Sequence, residues 1–135
     1  MTIFATRAAH QAVYNLLKND NTLAEALAVS VFSAVPQHSQ FPYIVIGDGV
    51  QHVQPTEGML VTECQLDIHI WTAANGHKQA LDIMDRIYAL LHLGTLTISD
   101  FEQVVLRVDR ASVALEEEGN ALRGTLRVIA IVVEV

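Results

Sequence analysis

The residues through which this chain could do chemistry are six histidines, one cysteine and a scatter of carboxylates. A metal site needs several of these at fixed spacings, because the ligands must converge on one ion. His10, His38, His52, His69, His77 and His92 form no HExxH and no His-x-His pair, and the lone Cys64 can supply neither a CxxC pair nor an internal disulfide. No metal ion and no cofactor is expected. Nucleophilic catalysis finds no frame either. Ser30, Ser33, Ser39, Ser99 and Ser112 lie outside any G-x-S-x-G turn, and Cys64 occupies an apolar position where a thiolate is disfavoured. Gly47-Asp48-Gly49 has the look of a phosphate loop but lacks the further glycine, where His52 stands, and the helix that must follow, so it reads as a strand end.

Three features remain. Asp67 and His69 share the polar side of one strand, and a carboxylate beside an imidazole raises its pKa and makes an acid–base pair. The competing reading is a polar sheet face or a subunit contact. Glu116-Glu117-Glu118 could hold a cation or a basic partner, or simply form a solvated hairpin tip. Trp71 follows on the same strand side as Asp67 and His69, where it could cover a helix or anchor an interface.

The elements that must position these residues are legible in the hydrophobic pattern. From Glu63 to Trp71, Cys64, Leu66, Ile68 and Ile70 alternate with polar residues, the period of a strand with one buried face. After Asn75-Gly76 the period lengthens: Ala80, Ile83, Met84, Ile87, Leu90 and Leu91 fall on one side of a helix. Upstream, Phe4 to Lys18 carries the apolar stripe of an alanine-rich helix that should stop near Asn19-Asp20-Asn21. Thr22 to Glu25 has capping-box spacing, predicting a short helix to about Ala28, and Val29 to Val35 reads as a short strand.

Tyr43 to Ile46 is a β-branched strand ended by Gly47-Asp48-Gly49, while Pro55 and Gly58 leave residues 50–60 open between a hairpin excursion and a long mobile loop. Beyond Gly94 the chain should return to the sheet, with Ser99 or Asp100 in a turn. Gln103 to Leu115 alternates in two phases that change near Asp109-Arg110, which predicts a bulge or a change of face. Gly119-Asn120 then turns the chain into a final strand, Gly124 to Val135, apolar on both sides: central in its sheet or covered by another subunit. The expected fold is α+β, a mainly antiparallel sheet with helices packed on one face, in a single domain over residues 1–135.

Composition narrows the function class. With 51% hydrophobic and 17% charged residues the 135-residue chain should fold, yet no apolar run is long enough for a membrane helix. The opening MTIFATRAAHQ lacks the basic leader and apolar core of a secretory signal, so an intracellular product is expected. Eight Lys and Arg, scattered along the chain, against fifteen Asp and Glu give a net charge of −7, which repels nucleic acid. High apolar content with modest charge leaves little polar material for the surface and points to self-association.

The order of these elements carries a resemblance. An N-terminal amphipathic helix ends in LLKNDNTLAEAL, and a strand and a Pro36 turn follow. Phe41-Pro-Tyr-Ile-Val-Ile-Gly47, a strand ending His69-Ile-Trp71, a long helix opened by Gly76 and a C-terminal strand pair with Leu122-Arg-Gly-Thr-Leu-Arg127 complete the series. Over nearly its whole length the sequence resembles the tail-completion or tail-terminator proteins of long-tailed bacteriophages and gene transfer agents. The resemblance implies a structural virion component with no catalytic residues, assembled in the host cytoplasm into a ring, typically a hexamer. Such a ring caps the head-proximal end of the tail tube, stops tube growth and meets the head–tail connector, with DNA only passing through. Its partners would be further copies of itself, the tube protein and the connector, and no membrane.

An interface is expected at Gln51, His52 and Val53, at Trp71, and at an exposed face formed by Ile129, Ile131 and Val133. The alternatives are a small, dimeric α+β enzyme or ligand-binding protein with a site around Asp67, His69 and Trp71, and a host adaptor of the same fold.

Overall fold

The computed structural model describes residues 5–36, 39–56, 59–92, 95–96, 103–116 and 119–134. Helix α1 (Ala5–Lys18) leads through a single π-helical turn (Thr22–Ala26) to β1 (Ser30–Phe32), β2 (Tyr43–Thr56) and β3 (Met59–Ala73). Helix α2 (His77–Leu91), β4 (Thr95–Leu96), β5 (Gln103–Leu115) and β6 (Ala121–Glu134) follow. The strands form one six-stranded sheet in the order β1-β2-β3-β6-β5-β4, antiparallel throughout except for the β1–β2 pair. The expected α+β layer is thus present, with β3 and β6 at its centre.

Strand alternation decides which face is buried. Cys64, Leu66, Ile68 and Ile70 of β3 are fully buried, and their cross-strand neighbours on β6 are Ala130, Val128, Leu126 and Gly124. Onto this face α1 sets Ala9, Val13 and Leu17, and α2 sets Ala80, Ile83, Met84, Ile87 and Leu91. Helix α1 lies over β1, β2 and β3, and α2 over β3, β6 and β5. Gly124 lets α2 approach closely, because a Cβ there would stand 2.6 Å from Met84 Sδ. Burial pushes the Cys64 thiol up to about 11, so it is the inert core residue its position predicts.

Two expectations need correction, and one left open between alternatives is decided. Gly47-Asp48-Gly49 does not end a strand: β2 runs on to Thr56, with a register shift between Ile46 and Gly49 that absorbs the extra residue as a bulge. Residues 50–56 and 59–60 accordingly pair in the far half of a long β2–β3 hairpin, the hairpin alternative of the two left open. The capping box at Thr22 does not form, and the helix expected to about Ala28 is one π turn. Asp20 takes the capping role instead: its Oδ2 accepts the Leu23 N–H at 3.1 Å and Arg86 Nε at 2.9 Å, while Oδ1 accepts Arg86 Nη2 at 2.6 Å. The Asp20 backbone N–H donates to the Leu17 carbonyl at the end of α1, while its carboxylate starts the next turn and clamps α2 beside it.

The shift expected near Asp109-Arg110 is there, between Val108 and Arg110, and the last two strands form the expected hairpin. Gly119 turns it with φ of +73°, a conformation that L side chains rarely adopt. Thr95 and Leu96 return the chain to the sheet against Val105 and Val104. Ser99, Asp100, His38, Glu117 and Glu118 lie outside the described residues.

Ile68→Ala, at the centre of the buried face, should destabilise the fold by about 2–5 kcal/mol in urea unfolding with an unchanged m-value. The hydrogen bond from Arg86, aided by that from Leu23, holds the Asp20 carboxyl below its ordinary value against the opposing effect of burial. Its stabilisation is therefore fully present above the unfolded pKa near 3.8 and is lost as pH falls through the lower folded value. In melts across pH, Asp20→Asn should lower the midpoint at neutral pH and converge on wild type in acid.

Candidate functional site

The alternation that buries one side of the sheet exposes the other, and no element covers that side among the described residues. Its lattice can be read row by row from the strand register. At one end Tyr43, Trp71, Arg123 and Ala114 lie abreast on β2, β3, β6 and β5. The Tyr43 ring sits 6.4 Å from Trp71, 5.6 Å from Phe41 and 6.0 Å from Phe32, and the Arg123 guanidinium lies 6.0 Å over the indole. Trp71 therefore faces away from both helices and covers neither.

The middle rows are charged. Arg127 Nε donates to Asp67 Oδ1 at 3.2 Å, His69 Nδ1 is hydrogen-bonded to Thr125 Oγ1 at 3.1 Å, and Arg110 stands across from Arg127. These residues, with Ser112 and Arg123, line a shallow depression of about 260 Å³. Asp67 and His69 thus share the face as expected but are each engaged elsewhere. Burial lowers the His69 pKa first and the Arg123 charge lowers it further, against a smaller opposing effect of Asp67, so the imidazole is neutral at pH 7. That arrangement holds a surface together rather than moving protons. No group of three or more His, Cys, Asp or Glu able to hold a metal exists among the described residues.

The far end mixes apolar with polar residues. His52, Glu63, Ile131 and Val105 form one row, and Val50, Gln65, Ile129 and Arg107 the row beside it. Ile131 and Val133 are half-buried, but Ile129 is only 3% exposed. The exposed face expected of Ile129, Ile131 and Val133 must be corrected on this point: Ile129 sits between Gln65 and Arg107, long side chains whose stems can cover it. Of the β2 residues, His52 joins this face, while Gln51 and Val53 point to the helix side. Gln51 Oε1 accepts the Thr6 N–H at 3.2 Å and its hydroxyl at 3.1 Å, tying the start of α1 to the sheet, and Val53 is 46% exposed.

The sequence model of the family described as "Tail completion protein gp17" matches residues 11–133. The chain belongs to this family. It is a family of structural phage tail completion proteins, not of enzymes, which makes the chain a virion structural component. The member is 25% identical over 124 residues to the tail completion protein gp17 of Bacillus phage SPP1, a match covering 92% of this chain and 91% of that one. Its fold superposes on a chain of the virion of a native gene transfer agent particle with a TM-score of 0.86, at 22% identity, over 97% of this chain and 98% of that one. No helix among the described residues is long and apolar enough to cross a membrane.

What the sequence reading missed is the gathering of arginines. Scattered along the chain, Arg107, Arg110, Arg123 and Arg127 meet on the uncovered face and make up half of the eight basic residues of this family member. The signal was present. Arg123 and Arg127 share strand parity, and the bulge at Asp109 brings Arg107 and Arg110, three apart, to the same side. Glu63, Asp67, Asp109 and Glu116 lie on or beside the face and balance the four charges, three of them as ion pairs with Arg127, Arg107 and Arg123.

An NMR titration should find His69 below the ordinary 6.5 of histidine. Asp67→Asn should lower it further and Arg123→Ala should raise it; shifts of opposite sign would overturn the electrostatic assignment.

Proposed function

We propose that this chain forms a ring, a hexamer in the simplest case, at the head-proximal end of a phage or gene-transfer-agent tail. There it stops growth of the tail tube and joins the tail to the head connector. The observation that carries this reading is the uncovered sheet face: six strands with aromatic, arginine-rich and mixed apolar and polar rows, open on the side away from the helices. A layer of this size with Trp, Tyr and Arg in cross-strand contact has the composition of an interface core. The chain's net charge of −7 suits a channel that repels DNA phosphates and lets the duplex slide.

Within this reading Trp71, Ile131, Val133 and His52 meet the neighbouring protein from the open face. Gln51 and Val53 do so from the edge of the β2–β3 hairpin, and Ile129 supports them from below. The tube protein and the connector are the further partners, and DNA is only a passenger. The ligand-site reading around Asp67, His69 and Trp71 is the weaker one, since Asp67 is bonded to Arg127 and His69 to Thr125.

Light scattering over a concentration series, alone and with the matching tube protein, tests the proposal. A closed ring, or a monomer that becomes one on tubes, is expected. Ile131→Glu should weaken that assembly at least tenfold while leaving the melting temperature within a few degrees of wild type. A stable dimer indifferent to tubes would sink the reading.

A further inference from the structure

Helices α1 and α2 lie side by side on the sheet, so each has an outer flank, and the two flanks occupy opposite sides of the subunit. The outer flank of α1 is fixed by His10, whose Nε2 donates to the Ile46 carbonyl of β2 at 3.3 Å. Arg7 and Lys18 belong to this side, with Tyr14 between them beneath the Lys18 ammonium, 5.3 Å from its ring centroid. Helix α1 contains no acidic residue, so the flank is purely basic. The outer flank of α2 is fixed at the other side, where His92 Nδ1 accepts the Val108 N–H of β5 at 3.1 Å. Leu81, Asp85 and Tyr88 follow this side at helical spacing, with Leu81 41% and Tyr88 46% exposed. The inner flank of α2 is occupied by Arg86 on Asp20.

We infer that the basic flank of α1 in one copy docks on the acidic, apolar flank of α2 in the next copy of this chain. The inference rests on the ring reading and adds, beside the open sheet face, a second contact between neighbouring copies. Both Arg7 and Asp85 are exposed and make no ion pair among the described residues, so neither charge must be withdrawn from an internal partner to form the contact. Because the flanks are different surfaces on opposite sides, the contact is head-to-tail. Such contacts close into rings or run on into filaments, whereas one patch meeting itself stops at a dimer. Leu81 and Tyr88 supply the apolar area, and the charges set register and exclude the reversed pairing.

Two variants test this together. The double substitution Arg7→Glu with Lys18→Glu makes both flanks acidic, and Asp85→Lys makes both basic. Each alone should raise the concentration needed for assembly, with or without tube protein, by at least tenfold, because like charges now face each other. Mixed one to one, the two should alternate around the ring and return to within about threefold of wild type. Unchanged melting curves would show that both variants fold.

If either variant assembles as wild type does, or the mixture does no better than its components, the flank assignment is overturned while the ring stands. If wild type itself stays monomeric with and without tubes, the ring reading fails and takes this contact with it.

Discussion

Two helices can cover one face of a six-stranded sheet, not two. Everything distinctive in this protein follows from that shortage. The strands alternate because one side must be apolar and the other must tolerate water, and β3 shows the rule most clearly, with four fully buried side chains interleaved with Glu63, Gln65, Asp67, His69 and Trp71. Burial of the β3 and β6 side chains under α1 and α2 supplies the main driving force for folding. The uncovered side is left as a broad, firmly backed surface whose side chains are positioned by a rigid ladder rather than by loops.

The charges on that surface are already reconciled within the subunit. Asp67 meets Arg127, Glu116 meets Arg123, and Asp109 approaches Arg107, all at half-exposed or exposed sites where each pair contributes little to stability. Their effect is on the charge that the face presents. A partner approaching this face encounters near-neutral rows with ordered side chains, while burial and Arg123 keep His69 from adding another charge. The Asp20 clamp performs the equivalent task in the other layer, fixing α1 and α2 relative to one another so that their outer flanks hold a constant separation.

Local periodicity made much of this visible in the sequence. The β3 alternation, the limits of α2 after Gly76 and the phase change at Asp109 are encoded within a few residues of where they act, and the structure has all three. Elements that depend on distant partners were misread or missed. Gly47-Asp48-Gly49 has the same residue types whether a strand stops or bulges, and only pairing with β3 shows which. Asp20 outcompetes Thr22 as a cap because Arg86, 66 residues away, holds its carboxylate in place. The arginine rows require the β5–β6 register and the bulge together. The open face was partly legible, since Trp71, Ile131 and Val133 lie on it, but Ile129 is enclosed by neighbours that strand pattern alone does not identify.

Cys64 gives the sheet an internal clock. Its thiol lies in the middle of the central strand, fully buried, with its proton held until about pH 11. It can meet an alkylating reagent only when β3 leaves its neighbours, so the rate at which sulfur is modified reports how often the whole layer opens. Opening of such a layer is rare, and the lone native thiol is the atom through which that rarity can be timed.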